Sequence, residues 1–183
     1  MKSIANLLFE VRMLKDLVRS GYAFLGSGKE SVAEHSFMTA FICFALAKME
    51  PDINAEKLIS MALVHDLAEA RTGDFNYVGK KYAQVDEAKA VSHLTASLPF
   101  GKDIAHLVEE FNRGETKEAQ LAKDADQISF ILELKKIGDI GAKGPETWLS
   151  AVISRLKTEP GRRLAQSIME TRWDEWWMKD YSE

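Results

Sequence analysis

The chain has 183 residues, 46% of them hydrophobic and 28% charged, with a net charge of −4, the profile of one globular domain large enough to bury a core. The acidic balance gives no basic footprint for nucleic acid, so no nucleic-acid partner is expected. The single cysteine, Cys43, excludes a disulfide framework within the chain and fits a cytoplasmic setting. The apolar stretch around it, residues 37–47, is too short to span a bilayer. Charge interrupts the opening "MKSIANLLFEVRMLKD" too early for a secretory signal, so no membrane role is expected either.

Apolar residues recur at helical spacing nearly everywhere and no alternating strand is visible, which predicts an all-α fold. The first helix is expected over about residues 3–19, with Ile4, Leu7, Leu8, Val11, Leu14, Leu17 and Val18 facing inward and Ser20–Gly21 as its stop. In the loop that follows, Gly26-Ser27-Gly28-Lys29 lacks the spacing of a phosphate-binding loop and reads as a turn. Ser31 and Glu34 form a capping box that opens a second helix running to about Met49. A third helix is expected from near Asn54 to Gly73, a fourth over about 82–98, a fifth over 101–112 and a sixth over 116–137. Pro145 suits the start of a seventh, and an eighth begins near Pro160 and reaches the aromatic end "RWDEWWMKD". There Trp173 and Trp177, four apart, are expected on one helical face packed against the body. A soft boundary at residues 138–146 separates a core of about 1–137 from a C-terminal helical extension of about 145–180, all within a single domain.

The chemistry concentrates in "MALVHDLAEARTGD", residues 61–74. A buried carboxylate is costly unless it is paired or ligates a metal, and here Asp66 follows His65 inside an apolar run. Helix neighbours point about 100° apart, yet a long histidine and a short aspartate can converge on one cation between them. Glu69, four residues from His65 and three from Asp66, adds a spare carboxylate on that side, and Thr72 continues it. A metal site needs ligands from elsewhere. His35 lies one turn into the second helix beside Met38, Thr39 and Ile42, an inward face. In "LAKDADQISFIL", Asp126 is flanked by the small Ala122, Ala125 and Ser129, with Phe130 next to them, and is preferred over Asp124.

The ordered set "EHS", "LVHDLAEARTGD" and "KDADQ" resembles the HD superfamily of metal-dependent phosphohydrolases, and within it the short 5′-deoxynucleotidases, over about residues 8–135. The resemblance implies an HD-type helical bundle with one divalent cation on His35, His65, Asp66 and Asp126. A mixed nitrogen and oxygen shell suits Mn, Fe, Co, Ni or Zn. It further implies a catalytic role for Glu69 and a supporting one for Asp74, and a phosphate contact for Arg19, whose planar guanidinium can take two phosphate oxygens. Relatives often carry a tryptophan directly after that arginine; Ser20 stands there, with Tyr22 as the replacement candidate for contacting the sugar. Lys81, or Lys80, is a candidate for the phosphate as well. A second metal on His93 and His106 is not expected, because their surroundings read as ordinary helix faces.

The expected function is therefore metal-assisted hydrolysis of a nucleoside 5′-monophosphate, with a nucleotide as the small-molecule partner and a homodimer as the working form. The alternatives are an enzyme of the same kind acting on nucleoside triphosphates or cyclic phosphates, and a helical protein with a structural metal. A structural site needs neither Glu69 nor Asp74, so their presence beside the ligands favours an enzyme.

Overall fold

The computed structural model describes residues 1–177 and 179, and among these every regular element is helical. The order is α1 (Lys2–Met13), α2 (Tyr22–Leu25), α3 (Val32–Met49), α4 (Ala55–Val64), α5 (Glu69–Thr72), a 3₁₀ turn (Gly79–Lys81), α6 (Glu87–Thr95), α7 (Gly101–Arg113), α8 (Lys117–Asp139), α9 (Gly144–Ile153) and α10 (Glu159–Glu170). The boundaries follow side-chain caps. Ser31 and Glu34 make the expected reciprocal box, and Asn54, Asp86, Thr116 and Thr158 each accept from a first-turn backbone N–H.

Helix α8 is the axis, packing against α3, α4, α7, α9 and α10. Its fully buried Ala122, Ala125, Ile128, Ile131 and Leu134 form one core with Cys43, Leu46, Leu58 and Met61. Val152, Leu156 and Ala165 from the C-terminal segment belong to the same core. A second cluster joins Leu14, Val32, Leu67, Leu94, Ile104 and Val108. Helix α3 is apolar and long enough to cross a membrane by length and composition, but one side of it is core.

Several expectations are corrected. The first helix ends at Met13, because the following chain satisfies its backbone elsewhere. Arg19 N–H donates to Glu30 O at 2.9 Å, Val32 N–H to Leu17 O at 2.9 Å, and Val18 forms an isolated antiparallel bridge with Ser31. Leu8, Val11 and Val18, expected inside, are exposed. The third helix breaks at its middle: α4 stops at Val64, the chain tightens through Leu67 N–H to Val64 O and Glu69 N–H to Asp66 O, and α5 is one turn. The fourth starts five residues late, at Glu87. α10 ends at Glu170, so Trp173 and Trp177 lie in turns rather than on one helical face. Their rings still meet edge to face, 4.8 Å apart. Trp173 does reach the body, its N–H donating to Asp139. Gly26 and Gly28 both have positive φ, and a Cβ on Gly28 would sit 2.7 Å from Ile137, so this segment is a packed turn.

Candidate metal centre and its cleft

Three helices bring the donors together. His35 lies in the first turns of α3, His65 caps the C-terminus of α4, and Asp126 lies in α8. One ligand atom from each can be chosen so that all lie within 4.8 Å of one another, and among the described residues this is the metal-capable group of its kind. Asp66 closes the fourth side, its Oδ2 lying 3.1 Å from His65 Nε2 and 3.8 Å from His35 Nε2. His35 Nε2 lies 2.9 Å from Asp126 Oδ1.

The break at His65 is what makes this possible. His65 Nδ1–H donates to Ala62 O at 2.7 Å, so the ring takes a carbonyl that a continuing helix would have offered to the next turn. That bond fixes the His65 tautomer and aims its Nε2 inward, while Ser129 Oγ, 3.2 Å from His35 Nδ1, orients the His35 ring. Both Nε2 atoms are buried, and although carboxylates stand close, neither has an aligned hydrogen-bond partner. Buried polar atoms are rarely left so, and two of them facing two carboxylates match the donor set of a transition-metal ion.

The charges are tightly linked. Burial pulls His65 down, but the close carboxylate of Asp66 and then that of Asp126 outweigh this and hold it at about 9. Burial pushes Asp126 and Asp66 up, and the two histidines more than reverse it, leaving both carboxyls below the usual range. Asp126 Oδ2 accepts from Gln127, which in turn accepts from Arg155. Glu69 behaves oppositely: burial, then the charges of Asp66 and Asp74, push it up to about 9, against Arg19 and His65.

Asp66 and Asp126 open into a cleft of about 330 Å³ lined also by Arg19, Tyr22, Glu69, Asp74 and further residues including Phe130 and Trp148. Arg19 is carried by the extended segment, not by a helix end. It reaches Glu30 at 3.2 Å and lies over the Phe130 ring at 5.8 Å. Burial opposes its charge, but Asp126, Glu30, Asp66 and Asp74 together raise its pKa. Asp74 accepts from both Ser20 N–H and Ser20 Oγ, so it clamps the residue next to Arg19. Tyr22 lines the cleft, yet its hydroxyl donates to Glu30 at 3.1 Å, and burial with Glu30 raises its pKa far above the usual value.

Some candidates lie elsewhere. Lys81 is absent from the lining and sits over the Tyr77 ring at 4.2 Å, while Lys80 lines the cleft. Asp124 is buried on another side of α8 and accepts from Lys157 N–H, Thr158 N–H and Thr158 Oγ. His93 and His106 are exposed on α6 and α7, outside the metal-capable group. Cys43 is buried, its thiol pushed up to about 12 by burial and then Asp126. Sequence reasoning missed Gln127, Trp148, Phe75, Tyr77 and Arg155 in the lining. Gln127 was adjacent to Asp126 in "KDADQ"; the others carry no spacing that relates them to the donors.

Known proteins share this sequence and fold. The HD domain family matches residues 11–168. A 5′-deoxynucleotidase HDDC2 of Dictyostelium discoideum is 36% identical over 132 residues, covering 66% of this chain and 70% of that protein. The protein of the same name from Bos taurus is 30% identical over 148 residues, covering 78% of this chain and 71% of that one. Among solved structures, a conserved hypothetical protein from Pyrococcus furiosus superposes with a TM-score of 0.76 at 31% identity, over 91% of this chain and 99% of that one. The helical fold, the histidine and aspartate cluster and these matches lead to one conclusion: the chain belongs to the HD domain family.

Proposed function

We propose that this protein is a divalent-metal-dependent phosphomonoesterase that removes the phosphate from nucleoside 5′-monophosphates. The observation that carries it is the pair of buried, unpartnered Nε2 atoms of His35 and His65 facing Asp66 and Asp126, whose carboxylates line a cleft that also holds Arg19 and Glu69. The named activity of the HDDC2 relatives supports the substrate class.

His35, His65, Asp66 and Asp126 would hold one transition-metal ion, of the Mn, Fe, Co, Ni or Zn class. When bound, such an ion supplies Lewis acidity toward the phosphoryl group and a nucleophilic water at neutral pH. Arg19 neutralises the phosphoryl oxygens, with Lys80 at the rim as a second cation. Asp74 holds the Arg19 segment in place through Ser20. Glu69 carries a proton more readily than an ordinary carboxylate, which suits it to pass one to the leaving 5′-oxygen or to take one from the attacking water. Phe75, Tyr77 and Trp148 offer flat apolar faces to a base, and Tyr22, which also lines the cleft, is the candidate for the sugar. A cytoplasmic setting and a homodimeric form complete the proposal, supported by the single buried cysteine and by the general prevalence of two-fold assemblies.

The test is phosphate release from ribo- and deoxynucleoside monophosphates after elemental analysis, with Glu69→Gln alongside. We expect release from wild type and its collapse in Glu69→Gln with metal content unchanged. Metal-loaded wild type that releases phosphate from none of them overturns the reading.

A further inference from the structure

Glu30 is only 5% exposed and has no part in the chemistry described above. A buried carboxylate is costly unless it is paired, and both side chains that pair with this one belong to the cleft. Arg19 Nη1 donates to Glu30 Oε2 at 3.2 Å, and the Tyr22 hydroxyl donates to the same oxygen at 3.1 Å. Phe130 closes these contacts into a ring of four residues. The Arg19 guanidinium lies 5.8 Å from its centroid, and Tyr22 meets it edge to face at 6.4 Å. Arg19, Tyr22 and Phe130 line the cleft, while Glu30 stands behind them and lines a separate hollow with Lys15, Lys29 and Lys136. The backbone makes the same junction: Arg19 N–H donates to Glu30 O at 2.9 Å, and Val18 bridges Ser31. Ser31 is the N-cap of α3, and His35 follows in the first turns of that helix. The arm that carries Arg19 is thereby fastened to the helix that carries a metal donor.

We propose that Glu30 is a positioning residue, which holds the Arg19 guanidinium in a fixed pose beside the metal centre with Tyr22 locked alongside. A guanidinium offers donors on Nε, Nη1 and Nη2. Glu30 is the hydrogen-bond partner of the Arg19 side chain among the described residues, and it takes only Nη1. The Nε and Nη2 edge is left as a parallel pair that fits two phosphoryl oxygens. Were Glu30 there only to neutralise Arg19, that one contact would serve. The second contact comes from a neutral phenol, adds no charge, and stops the carboxylate from turning. Placement, not charge, is therefore what Glu30 supplies. It acts through Arg19 and does not itself meet the phosphate. The inference rests on the phosphomonoesterase reading, to which it adds the residue that keeps the free edge of Arg19 presented.

The experiment compares the metal-loaded full chain with two variants that separate placement from charge. Glu30→Asp keeps the charge but withdraws the oxygen by one methylene, whereas Glu30→Gln drops the charge but keeps an acceptor in place. Glu30→Asp should keep its metal and lose about 10–100-fold in kcat/KM, mostly in kcat, since a misplaced Arg19 is missed as charge develops. Glu30→Gln should retain most of the wild-type rate. In an Arg19→Ala background, Glu30→Asp should change kcat/KM no further, whereas a merely structural role would multiply the two losses. A Glu30→Asp that works like wild type overturns the proposal, as does a Glu30→Gln that works no better than Glu30→Asp. Losses that multiply in the double variant overturn it too. Nuclear magnetic resonance of the guanidinium separates this inference from the reading beneath it. The η-proton signals of Arg19, identified by their absence in Arg19→Lys, should be resolved in wild type and averaged by rotation in Glu30→Asp. An ordered Arg19 in a wild type that hydrolyses no monophosphate overturns the phosphomonoesterase reading alone. An Arg19 equally mobile in wild type and Glu30→Asp overturns the positioning role.

Discussion

Asp124 and Asp126 are the same residue type on the same helix, two positions apart, and they do opposite things. Two residues turn an α-helix by about 200°, so one carboxylate faces the C-terminal helices and the other the cleft. Asp124 has everything it needs from the protein: three donors, all from Lys157 and Thr158, hold it at the α9–α10 junction. The fit is close enough that a Cβ on Gly161 would sit 2.4 Å from its Oδ2. Asp126 has one oxygen held by Gln127 while the other faces an unpartnered histidine nitrogen. Burial alone therefore does not mark a ligand. What marks it is the bonding left undone around it.

Substitutions can break this contrast. The largest effect is expected from Asp126→Ala, which should lose bound metal by elemental analysis and bring phosphate release to background, as chelation of the wild type should. Arg19→Ala should retain metal and lose about 10²–10³ in kcat/KM, the cost of one oriented donor to developing charge. Arg19→Lys should restore little, since an ammonium cannot reproduce the planar fork. Asp124→Ala should do the reverse of Asp126→Ala. Its metal content should stay intact while the buried donors it leaves unpaired cost about 2–3 kcal/mol, read as a drop in melting temperature. If Asp124→Ala loses metal at unchanged stability, the two roles have been assigned the wrong way round. Gln127→Ala sharpens the comparison by leaving Asp126 in place without its orienting partner. Metal affinity should fall about 10–100-fold by calorimetric titration. The smallest effect, about 1 kcal/mol of stability with metal affinity unchanged, is expected from Ser31→Ala, which removes only the cap of α3.

The sequence made the capped helices legible because their signals are local: Ser31 with Glu34, Asn54, Thr116. The donor set was legible because each member breaks an apolar helical pattern with a polar side chain. Where backbone bonding is settled by distant partners, local pattern misleads. Residues 14–19 have helical periodicity, but the Glu30–Ala33 segment takes their hydrogen bonds and pulls Arg19 into an extended path. The kink at His65 was invisible because its cause, a ring nitrogen bonding Ala62 O, replaces one helical bond with another of similar spacing. The far side of the cleft was invisible for a different reason. Trp148 and Arg155 reach the donors only through the fold, twenty or more residues beyond the last recognisable motif.

The Asp124 latch has a consequence for how such a cleft can vary. Two of its three donors are main-chain N–H groups, which any residue except proline supplies, and the third needs only a hydroxyl at position 158. The cleft-facing side chains of the α9 segment, Trp148 among them, can thus change while the buried Val152 and Leu156 keep it docked in the same pose. The donors on α3, α4 and α8 are insulated from that drift except where Arg155 meets Gln127, the partner of Asp126. In such a chain, selectivity is a replaceable cassette hung on a fixed peg.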